Sequence, residues 1–175
     1  LTYKKIPNII EAEGKVKIED KLEGYEIFSE KIIYFKSDEE IITYGYTNAN
    51  INSEYKIKSE NVLLKLISKE LSSKKKSSLQ DDNQIYFFEE FVYYINENLI
   101  KGKDILSVTN FKLPNSDKFY FSDGIFNLKD KEFTAKETKI NIHKNVFKRE
   151  DNDPRIYAVS SKGDNNKTIL SKGVF

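Results

Sequence analysis

The sequence predicts an all-β protein, a twisted and open antiparallel β-jellyroll with two facing sheets built from repeated strand pairs. Three observations predict it. Apolar and polar residues alternate with a period of two along much of the chain, similar segments recur about every 30 residues, and no Pro interrupts them. The chain has 175 residues, of which 12 are Phe and 11 are Tyr, enough apolar area to bury a real core.

The alternation indicates half-buried strands from the first segments onward. Val16 and Ile18 alternate with lysines and a glutamate, and Tyr55 and Ile57 alternate with lysines. Two later stretches, residues 61–71 and 88–99, also fit one face of a helix. We expect strands there too, because both stretches align with the repeat and are rich in β-branched and aromatic residues.

Two interleaved series of segments share the period of about 30 residues. In the first, a small or aromatic residue and an acid precede an apolar run, and the segments start at Ser29, Ser59, Phe88 and Ser122. The second series starts at Ile10, Ile42, Leu71, Ile100 and Phe133. Each unit therefore contains two apolar segments, which polar turns such as 36–40, 95–98 and 129–132 connect. The polar stretches 77–84, 113–117 and 149–154 are expected to be loops.

Charge and composition exclude several classes of protein. The 29 basic and 28 acidic residues leave a net charge of +1, without the basic surplus of a nucleic-acid-binding protein. No apolar run reaches the length of a membrane-spanning helix, and no Cys is present. The chain opens on Leu1 and stops at Phe175 within an alternating stretch, so residues 1–175 are expected to be one domain cut from a longer chain.

Few residues suggest catalysis, and the sequence predicts no catalytic residue, no metal site and no cofactor. His143 is the single histidine, and its place beside Ile142 indicates a surface or strand-edge position rather than a catalytic one. Residues 151–153 begin like a calcium loop but lack its later ligands, so a solvated turn is expected. Residues 166–168 match a glycosylation sequon, a weak pattern, and lysines 74–76 are interpreted as another solvated turn.

The segments Ile9–Ile18 and Tyr25–Tyr34 resemble the repeat of the lipopolysaccharide transport proteins (OstA-like). In that family a strand with a small residue and Gly alternates with one that has a small residue, an acid and an apolar run. Residues 153–155 and 172–175 resemble the junction where the periplasmic domain of the family's outer-membrane assembly protein enters its own barrel.

The resemblance implies a non-enzymatic domain at the periplasmic face of the outer membrane of a Gram-negative bacterium. Its apolar groove would shield the acyl chains of lipopolysaccharide while the sugars stay outside. It also implies three protein partners: a periplasmic bridge protein of the same family, paired at the N-terminal edge strands (6–13 and 14–19), the chain's own barrel, and the plug lipoprotein of that barrel. The C-terminal edge, residues 168–175, would lead into the barrel.

The family pattern and the alternation together give fifteen side chains that are expected to face the groove. They are Val16, Ile18, Ile27, Ile32, Tyr34, Ile57, Val62, Leu64, Tyr86, Phe91, Tyr93, Tyr120, Ile125, Ile140 and Ile142. Three alternatives remain open at this point: a stand-alone bridge protein of the family, a structural β-solenoid of an adhesin with a closed dry core, and a carbohydrate-binding sandwich. The absence of Trp disfavours the last of these.

Overall fold

The computed structural model describes residues 1–143, 154–164 and 166–174, and these residues form strands, turns and bends without any helix. The calcium-like stretch 151–153, most of the loop expected at 149–154, and Phe175 lie outside the described residues. The described residues contain fifteen strands: β1 (Thr2–Lys4), β2 (Ile9–Asp20), β3 (Tyr25–Phe35), β4 (Glu40–Ile51), β5 (Tyr55–Glu60), β6 (Leu63–Lys65), β7 (Glu70–Ser73), β8 (Ser77–Gln80), β9 (Gln84–Phe88), β10 (Glu90–Tyr94), β11 (Leu99–Thr109), β12 (Lys118–Asn127), β13 (Glu132–Asn141), β14 (Arg155–Gly163) and β15 (Thr168–Ser171).

All pairings are antiparallel, so the prediction of an all-β antiparallel protein is confirmed. The two stretches that also fitted a helix are strands and turns: residues 61–71 contain β6, and residues 88–99 contain β10. No stretch of the described chain forms a helix that is long and apolar enough to span a membrane.

The long strands bend where the two repeat series fall. The pairing of β2 with β3 shifts register between Glu13 and Val16, and that of β3 with β4 shifts between Ser29 and Lys31. Residues at other bends, including Gly45, Asp104 and Glu137, have a positive φ. A residue in that region re-aims the strand, as in a β-bulge. Each repeat therefore marks a point where a strand passes from one side of the domain to the other.

Eight strands close a ring in the middle of the molecule, in the order β4, β5, β8, β9, β11, β10, β7, β6 and back to β4. The strand β4 pairs with β5 through residues 46–51 and with β6 through residues 40–42. The strand β11 pairs with β10 through residues 99–103 and with β9 through residues 106–109. We call the side containing β5, β8 and β9 the first wall and the side containing β6, β7 and β10 the second wall. The sequence predicted two open facing sheets; the structure shows a closed barrel at this level.

Buried hydroxyl groups follow the bends on the inner side of the walls. Thr43 and Thr47 are joined by a hydrogen bond of 2.7 Å, Ser59 and Ser77 by one of 2.7 Å, and Thr138 and Ser161 by one of 2.6 Å. In each pair the two hydroxyl groups satisfy each other's hydrogen-bonding capacity inside the protein. Ser77 belongs to β8, so the loop expected over 77–84 is wrong in its first half. Only residues 81–83 form the turn.

The two ends of the domain present partly open edges. At the N-terminal end β1 pairs with Ile9–Glu11 of β2, so it covers only the second-wall half of that strand. Within the described part of the chain, the remainder of β2, residues 12–20, pairs on one side only, with β3. At the C-terminal end β15 pairs with residues 160–163 of β14, and Tyr157 forms a single bridge with Val174.

Candidate functional site

Two rows of turns meet along one side of the domain, which we call the seam. The first row joins strands at the end of the first wall and contains residues 21–24, 52–54 and 81–83. The second row contains residues 66–69, 95–98 and 128–131 and, after β14, residues 164, 166 and 167. Because each strand bends between the walls, the two rows face each other.

Polar contacts fasten the seam from β2 as far as β13. The ammonium group of Lys69 lies 3.3 Å from the Glu23 carboxylate, and the Asn52 amide donates a hydrogen bond of 3.3 Å to Asn98. The Tyr55 hydroxyl donates a hydrogen bond of 2.7 Å to the carbonyl of Leu128.

A further group of contacts across the seam centres on Lys131, and we call this group the latch. The Lys131 ammonium lies 2.9 Å from the Glu54 carboxylate, 3.5 Å from that of Asp81, against the Tyr55 hydroxyl, and 4.4 Å from the centre of the Tyr55 ring. Burial by itself would lower the pKa of Lys131, but the hydrogen bonds with Tyr55 and Glu54 outweigh it and raise that pKa. Lys131 is therefore charged at neutral pH.

A cavity of about 630 Å³ begins at the latch and extends along the seam to the turn that follows β14. Six aromatic rings form the apolar part of its lining: Tyr55, Tyr86, Phe119, Phe121, Phe126 and Phe133. The Tyr86 and Phe126 rings meet edge to face at 4.9 Å between centroids, and Phe121 and Phe133 lie 5.8 Å apart. The volume falls within the usual range of ligand pockets in proteins, and the aromatic part of the lining suits an apolar group.

The mouth of the cavity is polar and carries more carboxylates than ammonium groups. Lys131 and Lys167 are the lysines that line it, and the acids are Glu54, Asp81, Asp82, Glu132 and Asp164. Deeper inside, burial raises the pKa of Tyr86, so its hydroxyl stays neutral within the cavity. The arrangement can hold a chain in its depth and a polar, uncharged group at its mouth. Among the described residues, no group of three or more His, Asp or Glu side chains is placed to bind a metal ion.

Most of the predicted groove residues face inward, but they pack together as a core. Eight of them are buried: Ile27, Ile32, Ile57, Val62, Leu64, Phe91, Tyr93 and Ile140. Four more are partly buried against that core: Val16, Ile18, Tyr34 and Tyr86. Ile142 lies just beyond β13 and is half-buried. Of the fifteen, only Tyr86 lines the aromatic cavity.

Tyr120 and Ile125 face outward, which corrects the predicted orientation of the fourth unit. Ile125 is 41% exposed, and Tyr120 lies beside the outward Lys139, whose ammonium is 5.5 Å from its ring centre. The sequence alignment matched Ser122 with Ser29 and Ser59, whereas the inward residue at this bend is Phe121, which is 4% exposed. A slip of one residue turns every side chain of a strand to the other face.

That slip also explains why the sequence analysis missed three cavity residues, Phe119, Phe121 and Phe126. Phe133 lies on β13 and was not among the predicted groove residues either. The signal was present, because Phe119 and Phe121 alternate with Lys118 and Tyr120 along β12. His143 is half-buried at the end of the first wall, where its Nδ1 lies 2.7 Å from the Asp117 carboxylate. This contact ties the residue after β13 to the loop before β12.

Neither a scan against protein-family models nor a search of curated proteins finds a significant match to this chain.

Proposed function

We propose that this domain binds lipopolysaccharide and conducts it across the periplasm into the outer membrane, as the N-terminal domain of an LptD-like protein. One observation carries the proposal in the structure: an aromatic cavity that opens along a seam between two rows of turns. The resemblance of residues 9–34 to the OstA-like repeat supplies the lipid class. On this proposal the finer architecture is a jellyroll that opens toward its C-terminal end.

The energetics favour such a site without any chemical step. Each methylene removed from water contributes about 0.8 kcal/mol, so a chain of about a dozen carbons contributes roughly 10 kcal/mol before the costs of binding. The cavity of about 630 Å³ can take only part of a lipid with several chains. The acidic mouth disfavours phosphate, so we expect uncharged sugar to lie against it.

Photo-crosslinking in a Gram-negative host tests the proposal. A crosslinking residue at Phe133, inside the cavity, should capture lipopolysaccharide, whereas one at Lys129, in the exposed turn of the same row, should not. Equal capture at the two positions, or capture at neither, would contradict the proposal. Capture of phospholipid alone at Phe133 would keep the cavity as a lipid site and remove the lipopolysaccharide assignment.

The proposed bridge protein would dock at residues 12–20 of β2, the half that β1 leaves open. Main-chain pairing at such an edge adds a strand from a partner. Val16→Pro should weaken docking, while Ile169→Pro at the opposite edge should leave it intact. The opposite result would reverse the proposed polarity. A stand-alone bridge protein (LptA-like) would instead bind partners at both edges, and both substitutions would then matter.

A structural β-solenoid is the second candidate, because the ring between β4 and β11 is closed and filled. Tyr93 has no exposed surface and Leu64 is 1% exposed, as expected of a dry core. On this alternative the Phe133 crosslinker captures no lipid in cells, and purified protein contains no co-extracted acyl chains by mass spectrometry.

A further inference from the structure

Three small residues face one another across neighbouring strands of the second wall. Gly102 pairs with Gly124, and Gly124 pairs with Ala135. A Cβ on Gly102 would lie 2.8 Å from Cε1 of Phe88 and closer still to Cδ1, and one on Gly124 would lie 2.7 Å from Phe126. The backbone of β11 and β12 therefore rests directly on buried rings. Glycine inside a strand often marks such a close approach.

On the outer surface this row of small residues forms the floor of a groove, which we call the outer groove. It has a volume of about 520 Å³ and crosses five strands, β7, β10, β11, β12 and β13. Three residues of each strand line it, except that β7 contributes two and Lys74 directly after β7 is the third. Five adjacent strands span about 19 Å at the usual strand spacing. The outer groove lies on the opposite face of the wall from the core.

One side of the outer groove is mainly apolar. Val92 and Ile125 both pair with Lys101 from opposite sides, and Thr134 pairs with Ile125. The Lys101 ammonium lies 4.7 Å from the centre of the Tyr94 ring. The alkyl stem of this lysine can therefore extend the apolar side between the two branched residues.

The other side carries charges with a cationic surplus. Lys103 pairs with Asp123 and with Glu90, and its ammonium lies 2.6 Å from the Glu90 carboxylate. Counting all charged residues that line the groove gives four lysines, Lys74, Lys101, Lys103 and Lys136, against the two acids. A ligand that fits both sides has an extended apolar chain and a negative head.

We propose that the outer groove binds an anionic single-chain amphiphile, of the class of long-chain fatty acids and lysophospholipids. The chain lies across the strands along Val92 and Ile125, and the head meets the lysines. This site is separate from the aromatic cavity at the seam and does not depend on the proposed function. The charge surplus supports the choice of an anion over a neutral or cationic chain.

Environment-sensitive dyes on single cysteines test the proposal, because the chain has no Cys of its own. One variant has Ser72→Cys at the end of the outer groove, and a second has Asp164→Cys at the mouth of the cavity. The probes are laurate, dodecyl maltoside and dodecyltrimethylammonium below their micelle concentrations. The Ser72 dye should report saturable binding of laurate, at least about tenfold tighter than of the cationic chain, and the preference should shrink with added salt.

Matched substitutions locate the binding. Ile125→Asn should weaken laurate binding about tenfold and Lys136→Gln about threefold. The controls are Val159→Asn, an exposed valine on β14, and Lys139→Gln, further along the same strand as Lys136; both should leave binding unchanged. Equal affinity for the three probes, or equal losses in groove and control variants, overturns the proposal. A response of the Asp164 dye alone overturns it while leaving the cavity as a lipid site, and a response of the Ser72 dye to acidic peptides but not to laurate assigns the groove to a protein partner.

Discussion

The effect of Gly102→Ala on the free energy of unfolding should depend on the Phe88 ring. The substitution should destabilise the protein when the ring is present and stabilise it when the ring is removed. In Gly102→Ala the new Cβ meets two ring atoms, and Phe88 is 3% exposed, so the ring has little room to move. Overpacking of this kind costs about 1–3 kcal/mol. The loss of backbone freedom in the unfolded chain offsets about 0.4–1 kcal/mol of it. The net expectation is a destabilisation of about 1–2 kcal/mol.

The same substitution should stabilise the protein when the ring is absent. Phe88→Val removes the ring and by itself destabilises the protein. This destabilisation should be below roughly 5 kcal/mol, which is the upper end for truncation of a buried Phe to Ala. In that background Gly102→Ala meets no ring, so only the unfolded-state gain of about 0.4–1 kcal/mol remains. The double-mutant cycle should therefore give a coupling of about 1–3 kcal/mol.

Urea denaturation of the four proteins measures this coupling, with thermal midpoints as a check at about 2–4 °C per kcal/mol. Gly14→Ala is the control, because its Cβ would meet no atom within 4 Å and its cost comes only from the positive φ. Gly14→Ala should lose the same stability with and without the Phe88 ring. If Gly102→Ala costs the same in both backgrounds, the close approach of β11 to Phe88 is not what requires glycine.

Three further predictions concern the bends, the latch and one ion pair. Thr43→Val should lower the free energy of unfolding in urea by about 1–3 kcal/mol, because the buried Val62 N–H donates a hydrogen bond of 2.8 Å to the Thr43 hydroxyl and would lose that acceptor. The control Thr134→Val, on an outward side chain, should lower it by under about 0.5 kcal/mol. Lys131→Met should cost about 1 kcal/mol and speed amide exchange in residues 52–54, while Lys129→Met should do neither. Hydrogen bonds from Lys17 and Asn50 lower the pKa of Glu26, so its stabilising effect is present above the unfolded pKa of about 4.3 and is lost as the pH falls through the folded value; the stability difference between wild type and Glu26→Gln should shrink in acid.

The parts of the fold that depend on local pattern were predictable from the sequence. The alternation of apolar and polar residues around Val16 and Tyr55 predicted strands, because side chains of a half-buried strand point alternately to the core and to solvent. The repeat series predicted two apolar segments in each unit but not the bends, although Ser29 lies beside the register shift of β3 with β4.

The parts that depend on long-range pairing were not predictable. Closure of the ring requires β6 to pair with β4 and β7 with β10, and no feature within those short strands specifies a partner. The aromatic cavity was missed for a different reason: one misaligned residue at Ser122 turned Phe119, Phe121 and Phe126 to the wrong face. The outer groove depends on which residues of β10, β11, β12 and β13 are partners, which is a matter of register.

The closed ring constrains any passage of lipid along the domain. Tyr93 and Leu64 fill the interior of the ring. An acyl chain that moves from the N-terminal end of the domain to the aromatic cavity must therefore separate the two turn rows of the seam. On the proposed function, conduction would require the contacts between the two turn rows to break and reform. The hydrogen bond between Asn52 and Asn98 is one of those contacts.

A covalent lock at this contact separates conduction from binding. With Asn52→Cys and Asn98→Cys, a disulfide or a short bismaleimide would hold the turn rows together, in a chain without other cysteines. The locked protein should still capture lipid at Phe133, because the cavity lies beyond the lock, but transfer of lipopolysaccharide from a bridge protein should fall until the disulfide is reduced. Each single-cysteine variant, treated in the same way, should transfer normally. Undiminished transfer through the locked protein would show that lipid does not pass between the turn rows. The closed ring would then have a structural role only, and lipid would have to reach the cavity from its C-terminal side.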